Sequence, residues 1–254
     1  MLKRVDFDQR LAPIYHDARQ LNPEAARTWM DEVRRAAPGP GPLRVLDLGS
    51  GTGRFSPLLA DEFKGLVTAV EPARGMREQA RLRSGHPSVS YVAAAAENLP
   101  LATESIDVAF AFMVWHHVAD RHRATSEVAR VLRPDGVVFL RTNFADCIPD
   151  LAYFQWWPEA RDIERQLFVP LDEVTAEFAA AGVAVVELRS VTTLLAESIA
   201  AYAQRLAQRP FSIFDQLPEA VIEHGLDELR RAAEEEATPS PIYDTVDVLV
   251  LRKR

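Results

Sequence analysis

Cysteine is nearly absent from this chain. Cys147 is the single one among 254 residues, which excludes an internal disulfide and a zinc cluster built on several cysteines of one chain. Long apolar runs are missing as well. The longest, Val108 to Trp115, falls far short of the ~20 residues that cross a bilayer, so no membrane partner is expected. The opening Met1-Leu2-Lys3-Arg4-Val5-Asp6 turns charged with no apolar run behind it, so no signal peptide is expected and the expected compartment is the cytoplasm. Positive charge is in deficit: 29 Lys plus Arg stand against 37 Asp plus Glu, a net charge of −8. An acidic surface repels phosphate backbones, which argues against a nucleic-acid partner. The paired His116 and His117 have no third ligand in view, so no metal is expected. Internal repeats are absent, and Ala93 to Ala96 is the only low-complexity tract. Nothing in the composition speaks to oligomeric state. What is present, 48% hydrophobic and 26% charged residues, is the make-up of an ordinary globule long enough to bury a core without staples.

Apolar runs alternate with amphipathic stretches, the pattern of a parallel sheet flanked by helices. Strands are expected at 43–48, 66–70, 89–94, 106–112 and 137–141, the last introduced by the turn Arg133-Pro134-Asp135-Gly136. Helices are expected between them at 56–62, 75–83 and 121–132. The rhythm breaks over Asn143 to Pro170, which gathers Phe144, Tyr153, Phe154, Trp156, Trp157 and Phe168. A helix at 171–181, a strand at 183–188, helices at 194–208 and 218–236, and an alternating strand at 245–251 complete the chain. The last strand is expected to pair with the sixth as the one antiparallel member of the sheet.

The chemistry concentrates at Asp47-Leu48-Gly49-Ser50-Gly51-Thr52-Gly53, where a buried strand runs into a glycine-rich turn that opens a helix. Glycines admit positive φ and let a ligand meet bare main chain. A dinucleotide fold needs Gly-x-Gly-x-x-Gly, and the third glycine's place holds Arg54, which argues against a nicotinamide-dependent reductase. Asp47 is placed to order the turn or to reach an ammonium group. Glu71, with Pro72 at the end of the second strand, is placed to accept hydrogen bonds from both hydroxyls of a ribose.

Three further segments follow in order: Ala96-Glu97-Asn98-Leu99-Pro100, Trp115-His116-His117-Val118, and Glu127 to Gly136. Over residues 43–142 the sequence thereby resembles the class I S-adenosylmethionine-dependent methyltransferases, in particular the subgroup of ubiquinone/menaquinone-biosynthesis enzymes. The resemblance implies a doubly wound α/β fold: a Rossmann-like, seven-stranded, mostly parallel sheet with one antiparallel strand and a helical cap. It implies one domain over 1–254, with an N-terminal helical lid at 1–37, a cofactor-binding core at 38–142, and substrate-shaping insertions at 143–170 and 194–240. Its cofactor is S-adenosyl-L-methionine and its acceptor a small molecule. Gly49, Ser50 and Gly51 would line the methionine part, Glu71 the ribose, Met76 the adenine face, and Glu97 and Asn98 the adenine and its amine, with Asp47, Gly53, Pro72 and Ala96 completing the cofactor site. Phe112 would face the sulfonium through its backbone, with Met113 and His117 also in the cofactor site. Tyr15, His16 and Arg19 would belong to the lid, with Arg19 meeting the cofactor carboxylate.

For the acceptor, an aromatic or carboxylate-bearing small molecule, the residues suggest His117 as a general base, His116, Arg141, Phe154, Trp156 and Trp157 as substrate contacts, and Arg141, Arg161 and Arg165 as cations for a substrate carboxylate. The aromatic residues serve equally as cap core on sequence grounds. The Asn/Asp-Pro-Pro-aromatic motif of nucleic-acid amine methyltransferases is replaced here by Phe112-Met113-Val114-Trp115, and no Pro-Cys nucleophile follows the fourth strand. Both departures favour a small acceptor. A non-catalytic cofactor-binding protein remains the alternative from a different class.

Overall fold

The computed structural model of the chain describes residue 3 and residues 5–254; Met1, Leu2 and Arg4 of the charged opening stretch lie outside the described residues. Seven strands, β1 (Val45–Leu48), β2 (Val67–Val70), β3 (Val89–Val92), β4 (Ile106–Phe112), β5 (Leu132–Arg141), β6 (Val183–Ala196) and β7 (Ile242–Lys253), form one sheet in the order β3-β2-β1-β4-β5-β7-β6. β7 runs antiparallel to both neighbours, and the remaining pairs are parallel. The order reverses between β1 and β4, so their carboxyl ends open the crevice where doubly wound folds bind ligands.

Alternation along the central strands decides which side each residue serves. Val108 and Phe110 of β4 and Val137 and Phe139 of β5 enter one core, against Trp29 and Val33 of α2 (Pro23–Ala36) and Leu59 and Phe63 of α3 (Ser56–Phe63). Ala109, Ala111, Val138 and Leu140 enter the other, against Val128 of α5 (Arg121–Val131) and Val174 and Phe178 of α7 (Leu171–Ala180). Burial on both faces explains why these strands read as continuous apolar runs. Asn22 caps α2 by accepting from the Ala25 N–H at 2.7 Å, with Pro23 in the first turn, where its missing N–H costs nothing.

Two boundaries differ from expectation. β5 begins at Leu132, so Arg133 to Gly136 form a bulge inside the strand, with Asp135 at φ 63°, and pairing resumes at Val108–Val137. β6 extends to Ala196, so Leu194, expected in a helix, pairs with Tyr243. The β-branched Val191-Thr192-Thr193 keeps the β7 ladder going. The helix α8 (Ile199–Leu206) starts only where the Ser198 hydroxyl accepts from the Ala201 N–H at 3.0 Å.

A π-helical turn at Phe7–Leu11 leads into α1 (Ala12–Ala18). Together they lie on α4 (Arg74–Arg83): Leu11 and Ala12 cover Met76, and Asp8 accepts from the Gly75 N–H at 2.7 Å. Past β5, α6 (Ala160–Leu167) and later α8 and α9 (Glu219–Glu235) build a cap beyond the β5–β7 end of the sheet. Among the described residues no helix is long and apolar enough to cross a membrane.

Candidate active site

The glycine turn takes the conformation its composition demands. Gly49 and Gly51 sit at φ 65° and 56°, the left-handed region that a side chain disfavours. A Cβ on Gly49 would stand 2.1 Å from a Val114 methyl, whereas one on Gly51 would meet only the Tyr15 ring, at 3.8 Å. Gly51 therefore bares its backbone toward the lid. The Glu71 carboxylate, buried at the end of β2, accepts from the Gly51 N–H at 3.0 Å and the Ala73 N–H at 2.8 Å. Burial raises its pKa, and the two N–H groups act against that rise.

Asp47 is 2% exposed and accepts from the Ser56 hydroxyl at 2.6 Å. Burial lifts its pKa to about 7, with the Ser56 bond and Arg54 acting in the opposite sense. An unfolded Asp ionises near 3.8, so the stability this group contributes is intact below about pH 4 and is lost as pH rises through its folded value. Asp47→Asn is expected to match wild type in melting temperature at acid pH and to exceed it at pH 8, by at most about 4 kcal/mol. Equal differences at the two pH values would contradict this.

Beside the turn, on its β4 side, lies a cavity of about 150 Å³. The N-terminal segment lines it with Phe7, Leu11, Tyr15 and Arg19; β4 and the turn after it supply Phe112, Met113, His116 and His117; β5 supplies Arg141. Met113 itself sits at φ 55°, the left-handed region that non-glycine residues rarely enter. The His rings touch, with centroids 3.9 Å apart, and Phe7 meets His117 edge-on at 4.9 Å. Burial, with His117 and Arg141 alongside, lowers His116 well below 6.5; His117 is lowered too, but its exposed side leaves it more water and a smaller shift. Both are neutral at pH 7, and His116 Nδ1 is buried without a partner.

The expected residues separate into groups. Tyr15, Arg19, Phe112, Met113, His116, His117 and Arg141 converge on the cavity, and Gly49, Ser50, Gly51, Asp47 and Glu71 gather at the turn beside it. Gly53 packs inward, where a Cβ would meet the Tyr91 hydroxyl at 2.4 Å. Met76 is fully covered by the lid, and Ala96 is buried in the core. Pro72 and Asn98 are exposed. Glu97 accepts from the Ala119 N–H at 3.0 Å and so ties its loop to the start of α5. His16 belongs to the lid but not to the cavity wall.

Phe154, Trp156 and Trp157 do not line this cavity, against the expectation; Trp156 lines a separate depression with Gln155 and Val221. Trp157 is fully buried against Phe214 and donates to the Ile222 carbonyl at 3.3 Å. Trp156 packs on Tyr202, and Phe154 lies under Arg161. These rings are large enough to glue α6, α8 and α9 together, and that is where their apolar area is spent. Arg161 and Arg165 pair with Asp150 and Asp162 at the surface. The cavity wall comes instead from Tyr153, Glu164, Tyr202, Arg205, Phe211 and Asp244, none of which the sequence singled out. Arg54 also lines it, stacked on Phe55 and Phe112 and donating to the Arg19 carbonyl at 2.8 Å. Its signal was in plain view, as the residue that fills the missing glycine's place.

S-adenosylmethionine fits these residues. Ser50 Oγ and Arg19 Nε are buried without partners beside a bare Gly51 backbone and a buried carboxylate, a set of groups that matches a nucleoside joined to an amino acid.

The fold defines the class: a Rossmann-like α/β methyltransferase fold, with the glycine turn at its β1–β4 crevice. Residues 46–140 match the family model described as a methyltransferase domain. The malonyl-acyl-carrier-protein O-methyltransferase of Methylococcus capsulatus is 40% identical over 124 residues, 48% of this chain and 44% of that protein; the chain thus matches less than half the length of that curated relative. A candidate methyltransferase from an antibiotic biosynthesis pathway of Anabaena variabilis superposes with a TM-score of 0.70 at 22% identity, over 89% of this chain and 98% of that one. A phosphoethanolamine N-methyltransferase of Haemonchus contortus, solved with S-adenosylhomocysteine, superposes with a TM-score of 0.58 at 16% identity, over 98% of this chain and 60% of that one.

Proposed function

We propose that this chain transfers a methyl group from S-adenosylmethionine to an oxygen, nitrogen or carbon nucleophile of a small molecule held in the cavity. The observation that carries the reading is the junction of the glycine turn and Glu71 with a cavity that Tyr15 and Arg19 line. When bound, the cofactor supplies a methyl carbon already activated by its sulfonium. Gly51 and Ser50 hold the methionine part, Glu71 the ribose hydroxyls, and Arg19 the carboxylate. The Phe112–Met113 segment at the end of β4 faces the reacting end through its backbone. Alignment and exclusion of water are the main demands of such a displacement, and the lid with the aromatic walls meets both. Where the nucleophile carries a proton, a neutral imidazole of the His116–His117 pair accepts it. The absence of a nucleic-acid motif after β4 and the acidic net charge support a small acceptor. The substrate of the Methylococcus relative, a malonyl thioester, belongs in the first set of acceptors to try.

Calorimetry is expected to show S-adenosylhomocysteine binding in the micromolar range, roughly −8 kcal/mol. Labelled donor incubated with a metabolite set is expected to yield labelled product. No binding overturns the proposal; binding without any turnover points to a cofactor-binding scaffold. His117→Ala is expected to slow turnover by about 10²–10⁴-fold for an acceptor that must lose a proton, with cofactor affinity retained. A rate unchanged across the pH range removes His117 from the chemistry.

A further inference from the structure

The cavity beside the glycine turn is unevenly charged. Arg19, Arg54, Arg141 and Arg205 line it against two carboxylates, Glu164 and Asp244. Two of the arginines are held by main chain: Arg54 donates to the Arg19 carbonyl, and Arg205 to the Ala18 and Leu195 carbonyls. The other two are not. Among the described residues neither Arg19 nor Arg141 forms an ion pair, and the Nε of each is buried without a partner. The nearby acids do not meet the need. Glu164 already accepts from the Tyr153 hydroxyl and from Asn143 Nδ2, and Asp244 from the Ala152 N–H. Arg141 itself touches the Met113 sulfur and the face of Phe112, and Asp244 and Glu164 attract it only from beyond ion-pair distance.

Burying a guanidinium without a counter-ion is costly, and a fold keeps such a group where a ligand supplies the charge. The methyltransferase reading, on which this inference rests, provides one anion: the cofactor's carboxylate, which falls to Arg19 on the lid. Arg141 is left over. It closes β5, in register with Phe112 of β4 and Val248 of β7, on the cavity side away from the glycine turn. The Tyr202 hydroxyl lines the same cavity, likewise buried without a partner. We propose that the methyl acceptor carries an oxyanion, a carboxylate or a phosphate, and that Arg141 with Tyr202 binds it. The planar fork of Arg141 suits two oxygens at once, and Phe112 and Phe211 take the acceptor's apolar body.

The test uses benzoate, phenylphosphonate and benzamide, titrated calorimetrically into the S-adenosylhomocysteine-loaded full chain. Wild type is expected to bind benzoate or phenylphosphonate about 10–100-fold more tightly than benzamide, the scale of one charged hydrogen-bonded contact. The tighter of the two anions identifies the head group. Arg141→Gln should erase that preference while S-adenosylhomocysteine affinity stays unchanged, and Arg141→Lys should restore part of it. The melting temperature of Arg141→Gln should not fall, because an uncompensated charge has been removed; a merely structural arginine would lower it. Equal binding of acid and amide by wild type, no anion binding at all, or a preference that survives Arg141→Gln overturns the inference. Failure of wild type to bind S-adenosylhomocysteine overturns the underlying methyltransferase reading instead, which keeps the two failures distinct.

Discussion

Glu71→Ala is expected to weaken S-adenosylhomocysteine binding by at least 1.5–3 kcal/mol, roughly 10–150-fold, the scale for losing hydrogen bonds to a charged group. The carboxylate has two tasks. It receives the Gly51 and Ala73 N–H groups, which holds the turn in its shape, and in the proposed function its remaining lone pairs accept from the ribose hydroxyls. Alanine removes both functions and strands two buried donors. Glu71→Gln keeps an acceptor oxygen but gives up the charge, so an intermediate loss is expected. Calorimetry on the three proteins, with melting curves of the ligand-free forms, checks the ordering. Wild-type affinity in the alanine variant would mean that the ligand is not held at the end of β2.

Trp157→Ala is expected to cost about 3–5 kcal/mol of stability, the usual range for emptying a buried tryptophan site, or on the order of 10 °C for a chain of this size. Trp157 joins the 3₁₀ turn at Ala152–Gln155 to α9 and the Phe214 segment. The fit is close from the other side too, because a Cβ on Gly225 would stand 2.2 Å from Trp157 Nε1 and 2.7 Å from the Trp156 carbonyl oxygen. Gly225→Val should therefore mimic the loss by overpacking. Both variants should disturb cofactor and acceptor binding together, since the cap that carries Tyr202 and Phe211 loosens as a unit. Tyr202→Phe, which keeps the ring, should leave the melting temperature near wild type and affect the acceptor alone. A stable Trp157→Ala variant with altered acceptor affinity only would return the tryptophan to the pocket.

The glycine turn and the Glu71 carboxylate, the proposed cofactor half of the site, were legible as local structure. Asp47 to Gly53 is one strand–turn–helix, and Glu71 ends the next strand, so short-range pattern and backbone geometry suffice to place them. The same holds for the strands: β4 lies where its alternating apolar run puts it, and the pairing of β6 with β7 follows from two alternating segments around a helical excursion. Boundaries failed where long-range pairing overrode local preference, as at Leu194, which joins β6 because Tyr243 is there to receive it.

The acceptor half was not legible, and the reason is the same physics seen from the other side. Trp156 and Trp157 attract attention by their size, yet a large flat ring is as useful for joining helices as for lining a pocket, and sequence holds no term that separates the two uses. Glu164, Tyr202, Arg205 and Asp244 reach the cavity from α6, α8 and β7, spread over some eighty positions, without a shared spacing. By itself the sequence determined the sheet, the glycine turn, the carboxylate at Glu71 and the class of cofactor, because each depends on neighbours a few residues away. Only the tertiary structure decided which arginines are left without partners among the described residues and which aromatics line the cavity, because charge compensation and burial are settled between elements that meet only when the chain is folded.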